Sequence, residues 1–204
     1  MTSEPPAWVE IDLLQFRRNW DAINSCRPHG VGIAYVVKDD GYGHGALPLP
    51  QIALEQGVEL LVVAAVEEGL KLRAGGIEAP ILVLGERTPD DYIVCDNHRF
   101  AACVRSHAGL AELKKVIKST GRSVPIHLKI DTGMNRHGFR WSDAEALIQD
   151  LKASPEFSVE GILSHFAMSD ELDKTFARLQ LSRFNEAVGK MQAAGLNPKY
   201  RHIC

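Results

Sequence analysis

Leu60-Leu61-Val62-Val63-Ala64-Ala65 is an unbroken apolar run with no polar residue alternating through it. A strand wetted on one side alternates apolar and polar residues. A run that is apolar at every position needs cover on both faces, as in a parallel sheet flanked by helices. Similar runs recur along the chain. Val31 to Val37, Ile81 to Leu84, Phe100 to Val104, Val124 to Ile130, Val159 to Ser164 and Tyr200 to Cys204 read as strands, making seven in all. Helical periodicity fills the gaps. Leu13, Phe16, Trp20 and Ile23 share a stripe behind Asp12 as cap. Ser142 and Glu145 have the spacing of a capping box ahead of Leu147, Ile148 and Leu151. A longer helix is expected from about Leu172 to Met191, with Ala177, Leu181, Phe184, Val188 and Met191 inward, and with Gly195 and then Pro198 to end it. Such repeats imply parallel strands joined by right-handed crossovers, in an open doubly wound sheet or a barrel. A (β/α)₈ barrel needs eight strands and typically roughly 250 residues, so as a barrel the chain is unfinished. No linker divides it, and Trp8 to Ile11 reads as an isolated strand.

The 204 residues are 45% hydrophobic and 24% charged, with a net charge of -3 and a pI near 6.2. That is a globular composition with a substantial core, and it argues against disorder or a fibre. A weakly acidic balance offers no footprint for a nucleic-acid backbone, and Lys114-Lys115 reads as a solvated helix face. The longest apolar run, Leu60 to Val66, is far short of the roughly 20 residues that cross a bilayer. Met1 to Pro6 lacks the basic and apolar parts of a secretory leader. The expectation is a cytoplasmic protein without nucleic-acid or membrane partners. Cys26, Cys95, Cys103 and Cys204 match neither a disulfide framework nor a zinc spacing, and the eight histidines form no metal-ligand pattern. No metal is expected.

In a strand–helix barrel the chemistry sits at the C-terminal ends of the strands. Those ends carry Lys38 after the first strand, Arg136 beyond the fifth, His165 ending the sixth and His202 within the seventh. Four cations or bases on one rim suit an anionic, planar ligand. Partial burial of a lysine favours the neutral amine, the form that condenses with an aldehyde. The glycines of Asp39-Asp40-Gly41-Tyr42-Gly43-His44-Gly45 let backbone approach a ligand closely, with Tyr42 in reach of a phosphate. In Lys129-Ile130-Asp131-Thr132-Gly133-Met134-Asn135-Arg136-His137-Gly138-Phe139 an arginine leaves a strand through a glycine-bounded loop, placed to donate to a cofactor oxygen or a carboxylate. Each residue alone also has a plainer reading: Lys38 snorkelling above a turn, Arg136 paired with Asp131, His165 a satisfied structural histidine. Dinucleotide, Walker and serine-elbow motifs are absent from the sequence.

Taken together, these segments resemble the alanine racemase family. Trp8-Val9-Glu10-Ile11-Asp12-Leu13 is similar to the family's opening, and Val36 to Gly45 to its cofactor-lysine motif. Lys129 to Gly138 is similar to its Lys-x-Asp-Thr-Gly-Met-x-Arg-x-Gly loop, and Ser164-His165-Phe166-Ala167 to its Ser/Thr-His-Phe-Ala motif. Weaker agreement includes Glu68 and Pro80 to Gly85. The resemblance implies an α/β fold, a parallel (β/α)₈ barrel over residues 1–204, and a homodimeric isomerase that interconverts L- and D-alanine for cell-wall synthesis. It implies pyridoxal 5'-phosphate carried on Lys38, which would also be the base on one face of the substrate. Tyr42 would contact the cofactor phosphate and Leu84 would line its site. Arg136 would bond the cofactor's phenolic oxygen near the substrate carboxylate, and His165 would support the ring. Lys129 would be a candidate for carbamylation that holds the arginine.

Three departures stand out. Asp39-Asp40-Gly41 replaces the family's Ala-Asn-Ala or Ala-Asp-Ala, and an acid beside Lys38 would favour its ammonium form if turned inward. Pro48 and Pro50 fall where a helix usually begins, and fit only its first turn. The family continues past the position of Cys204 with an Asn-Ser pair on the phosphate, an arginine facing the pyridine nitrogen and a tyrosine as opposite base. The resemblance therefore implies an incomplete barrel of about seven strands without the C-terminal β domain, inactive alone. Other readings are a serine or broad-specificity racemase, a decarboxylase of basic amino acids, and a non-catalytic barrel that binds the same cofactor. Tyr42-Gly43-His44-Gly45 favours the racemases over the decarboxylases.

Overall fold

Asp12 converts the extended N-terminal segment into a helix: its Oδ1 accepts from the N–H groups of Leu14 and Gln15, both at 2.9 Å. The cap satisfies donors that the first turn leaves unpaired. The computed structural model describes residues 7–85 and 87–204, so the leader expectation on Met1 to Pro6 lies outside the described residues. The chain forms two compact units, one ending at Ile81 and one starting at Leu82.

In the first unit α1 (Leu13–Cys26) leads into β1 (Ala34–Val36), which pairs in parallel with β2 (Leu60–Val63), Ala34 opposite Leu60 and Val36 opposite Val62. Between them lie a left-handed turn labelled α2 (Lys38–Tyr42) and α3 (Pro48–Glu55); α4 (Val66–Ala74) follows β2. All four residues of β2 are buried, as its apolar run requires. Of the stripe expected on α1 only Trp20 is buried, edge-on to Phe16 at 6.0 Å and to Tyr35 of β1 at 5.4 Å. Leu13 and Ile23 stay exposed. The expected strand from Val31 begins only at Ala34, because Val31 donates its N–H to Pro28 O in a turn. Pro48 opens α3 and Pro50 sits in its first turn, the one place where a missing N–H goes unnoticed. Trp8 to Ile11 is not a strand. It has no ladder partner among the described residues, and Trp8 and Val9 are 70% and 75% exposed.

β3 (Ile81–Val83) lies where the units divide. The second unit continues with α5 (Pro89–Asn97), β4 (Phe100–Val104), α6 (His107–Thr120), β5 (Pro125–Asp131), a two-residue β6 (Phe139–Arg140), α7 (Ala144–Lys152), β7 (Ser158–Ser164), α8 (Thr175–Ala193) and β8 (Tyr200–Ile203). β5 is central: it pairs in parallel with β4, β6 and β7, and β7 pairs in parallel with β8. Ile126, Leu128 and Ile130 on one face of β5 are completely buried. Removing a side chain of that kind typically costs about 2–5 kcal/mol. The capping box expected from Ser142 and Glu145 does not form. Ser142 lies in a 3₁₀ turn (Trp141–Asp143) and donates to the Asp143 carboxylate at 2.9 Å, while α7 starts at Ala144. Leu147, Ile148 and Leu151 are buried as expected. α8 begins after Leu172, which is 99% exposed. Its inner face holds Gln180, Phe184, Ala187, Val188 and Met191, and Leu181 is outside. Among the described residues no helix is long and apolar enough to cross a membrane.

The other face of β5 carries His127, fully buried, with Nδ1 2.9 Å from His202 Nε2 of β8. The Tyr200 ring stacks on it at 5.5 Å. Gly161 of β7 makes room for that imidazole, since a Cβ there would come within 2.4 Å of His127 Nδ1. His202 is thus drawn to a partner inside the sheet and not to a rim of cations. Burial pushes His127 down to about 3, with His202 adding to the effect, and pushes His202 down to about 4. Both rings are therefore neutral in the folded protein at pH values where unfolded histidines, near 6.5, take up protons. Below about 6.5 the unfolded state binds more protons. The stabilisation is present in full above that pH and is lost as pH falls toward about 4, at up to about 1.4 kcal/mol per pH unit for each histidine. We expect urea midpoints to drop steadily between pH 7 and 5, and two histidine ring signals to remain at their neutral NMR shifts at pH 5. Titration of all eight rings near pH 6 would mean that the pair is open to water.

Candidate active site

Lys38 follows directly on β1, and the ladder reaches up to it: Val37 donates to Val62 O at 2.8 Å. The side chain is half-buried, with Nζ 5.7 Å from the centre of the exposed Tyr42 ring. Beyond Lys38 the backbone turns left-handed, with φ of 53° at Asp39, 53° at Asp40, 64° at Gly41 and 56° at Tyr42. Each ordinary L-residue in that conformation costs roughly 1–2 kcal/mol, least for glycine and for short polar residues such as Asp. Asp39-Asp40-Gly41 is thus a composition suited to the turn. Gly41 N donates to Val37 O at 3.1 Å, Gly43 N to Asp39 O at 3.0 Å and Gly45 N to Asp40 O at 2.8 Å. Asp39 and Asp40 are both exposed, and Asp40 Oδ1 accepts from Ala46 N at 2.9 Å, so neither acid is turned inward. Glu68 of α4 closes the turn from the other side, its Oε1 accepting from Asp39 N at 2.6 Å.

In the second unit the loop after β5 is shaped by Asp131, whose Oδ1 accepts from Gly133 N at 2.9 Å and Asn135 N at 3.1 Å. Among the described residues no ion pair joins Asp131 to Arg136, which stands exposed beyond the bend. Gly138 returns the chain at φ 126°, so close to β5 that a Cβ would lie 2.8 Å from Asp131 N. No other residue fits there, and β6 pairs at once with the end of β5. Lys129 lies on β5 below this loop. Burial depresses its amine, and Arg136 and Arg105 push in the same direction, against the opposing thiols of Cys103 and Cys204. His165 leaves β7 half-buried, with Nδ1 3.4 Å from Cys204 Sγ.

The loops after β5 and β7 are tied together by a residue that sequence reading missed. Gln180 of α8 is fully buried. Its Oε1 accepts from Ala167 N at 2.9 Å, and its Nε2 donates to His165 O at 3.1 Å and to Thr132 Oγ1 at 3.2 Å. Ser164 adds a second tie: its Oγ donates to Ile130 O at 2.8 Å and lies 2.9 Å from Thr132 Oγ1. The structure therefore brings Lys129, Arg136 and the His165 loop into one neighbourhood. His202 belongs instead with His127, and Leu84 sits half-buried just past β3. The signal for Gln180 was a lone amide inside an apolar stripe, where a long side chain with both donors and an acceptor reads as a loop anchor. The chemistry on offer is a half-buried amine at Lys38, a lysine at Lys129 shifted toward its neutral form, and the bidentate donor of Arg136.

The family model for the alanine racemase N-terminal domain matches residues 11–204. The alanine racemase of Clostridium tetani is 42% identical over 202 residues, covering 97% of this chain and 51% of its own length. Among solved structures, alanine racemase from Bacillus anthracis with bound L-Ala-P is 34% identical with a TM-score of 0.88, over 97% of this chain and 51% of that one. The enzyme from D-cycloserine-producing Streptomyces lavendulae is 33% identical with a TM-score of 0.86, over 95% and 51%. The chain spans about half the length of the relatives it matches. Likeness at this level carries the fold class: the parallel strands and helices are those of the α/β barrel in the N-terminal half of these racemases.

Gln180→Leu keeps the size of the buried side chain and removes all three hydrogen bonds, leaving main-chain groups of the His165 loop unpaired. A buried unpaired group costs about 1–3 kcal/mol. We expect the urea midpoint to fall accordingly and the Ser164–Met168 amides to exchange faster. A leucine variant as stable as the parent would mean that the loops hold without the anchor.

Proposed function

Since the chain belongs to the alanine racemase family over residues 11–204, we propose that it supplies the pyridoxal-phosphate half of an enzyme that interconverts L- and D-alanine. The observation that carries the reading is the placement of Lys38, half-buried at the end of an apolar parallel strand on a turn closed from both sides. The residues present fit the cofactor's chemistry. Lys38 offers the amine that holds an aldehyde, Tyr42 an exposed phenol for the phosphate, Leu84 an apolar wall, Arg136 a cationic fork and His165 a flat ring. When bound, pyridoxal phosphate draws electrons from the substrate's α-carbon and so lowers the barrier to losing its proton. Lys38 Nζ takes or returns that proton on one face. Arg136 orients the substrate carboxylate.

Lys129 supports the same reading through its surroundings. A depressed amine is the form that adds carbon dioxide, losing a proton as the carbamate forms. The guanidinium groups of Arg136 and Arg105 that help depress the amine would stabilise the resulting anion. Alanine is favoured as substrate by the Bacillus anthracis racemase, 34% identical and solved with L-Ala-P. The reading extends to a cytoplasmic homodimer, with residues 1–204 as one barrel domain, supplying D-alanine for the cell wall.

The test is chemical. The chain is incubated with pyridoxal phosphate, reduced with borohydride and mapped by peptide mass spectrometry. We expect one dominant modified lysine, Lys38, and loss of that label in Lys38→Ala. Label spread evenly over the lysines would overturn the assignment.

A further inference from the structure

Glu68 has three main-chain partners, and only two of them belong to its own helix start. Its Oε2 accepts from Ala64 N at 2.7 Å and Ala65 N at 3.2 Å, closing the first turn of α4. Ala65 stands at the N-cap with a methyl side chain, so it returns no bond of its own, and half of an ordinary capping box is missing. The other oxygen, Oε1, reaches 29 residues back along the sequence to Asp39 N at 2.6 Å. A helix cap alone does not need that bond.

The geometry of the second bond gives it a consequence. The Asp39 N–H belongs to the peptide unit that joins Lys38 to Asp39, so holding it fixes ψ of Lys38. The peptide unit on the other side, between Val37 and Lys38, is held through Val37 O, which accepts from Gly41 N at 3.1 Å. Both planes flanking the Lys38 Cα are thereby clamped, one by the left-handed turn and one by Glu68. The direction in which the Lys38 side chain leaves the backbone follows from those two planes.

We propose that Glu68 is a positioning residue for Lys38, aiming its amine by fixing the Lys38–Asp39 peptide plane; the proposal rests on the reading of Lys38 as the cofactor lysine. The carboxylate is required as a carboxylate. Three N–H donors converge on it, and two charged oxygens accept from all three. An amide in its place has a single acceptor oxygen and turns its own N–H groups toward one of the donors.

The test uses Glu68→Gln in the whole chain, with two readouts. In the variant we expect the Asp39 amide to exchange about tenfold faster, the loss of one hydrogen bond. The share of borohydride-trapped pyridoxal phosphate on Lys38 should fall several-fold, while labelling of surface lysines stays level. Ala65→Ser supplies α4 with a cap of its own. In Glu68→Gln/Ala65→Ser the melting temperature should recover and the Lys38 label should not. If the label recovers with the cap, Glu68 is only a helix cap and the proposal fails. The double variant also replaces the single one if the latter does not fold. Unchanged Asp39 exchange overturns the proposal by itself. A parent chain with diffuse labelling instead overturns the cofactor reading, and the exchange measurement still decides the role of Glu68.

Discussion

A parallel strand that stops leaves its last main-chain groups without a neighbour in the ladder, and in a protein interior each such group needs another partner. In both units one long polar side chain from a helix meets that need. Glu68 of α4 gathers the amides past β2 and beyond β1. Gln180 of α8 gathers the groups past β7 and the Thr132 hydroxyl past β5. The candidate site residues hang from these ties, because the loops that carry Lys38, Arg136 and His165 are irregular and make little ladder of their own. A carboxylate serves where every partner is a donor. An amide serves where a donor and acceptors meet.

β5 shows how one strand face can hold two electrostatic regimes. Residues two apart share a face, so His127 and Lys129 point the same way. His127 is sealed among Tyr200, His202 and the space left by Gly161, and burial keeps the pair of rings uncharged. One step along, Lys129 is less enclosed and has Arg105 and Arg136 within electrostatic reach. The neutral pair fastens β8 to β5 without placing a charge in the interior, where an unpaired ion would cost far more than a hydrogen bond returns. The guanidinium groups are left near the loops, outside that sealed interior.

Runs such as Leu60 to Ala65 and Phe100 to Val104 were legible because burial on both faces leaves no other pattern open. Trp8 to Ile11 has strand composition as well, but a strand exists only with a partner, and composition does not carry pairing. The inner face of α8 was misread at one position for a physical reason. Periodicity favours Leu181, yet Gln180 is the residue whose hydrogen bonds repay its burial. His202 was placed on the rim because alternation along β8 fixes its face but not the imidazole waiting on β5. At the candidate site, the loops that carry Lys38, Arg136 and His165 stood out in the sequence through their motifs. The left-handed turn after Lys38 and its tie to Glu68, 29 residues away, depend on tertiary contacts that local patterns do not encode.

The departure at residues 39–41 also becomes intelligible. Side chains at Asp39 and Asp40 are exposed, so they face little selection from packing, and what the turn demands is tolerance of positive φ. Asp-Asp-Gly meets that demand at least as well as the family's Ala-Asn-Ala, since glycine removes the Cβ penalty at one position and Asp lessens it at two. The bond to Glu68 uses the main-chain N–H of Asp39, which every residue except proline possesses. A tether through the backbone leaves the side chain beside Lys38 free to vary while the direction of the lysine stays fixed. Position 39 can therefore change without moving the lysine.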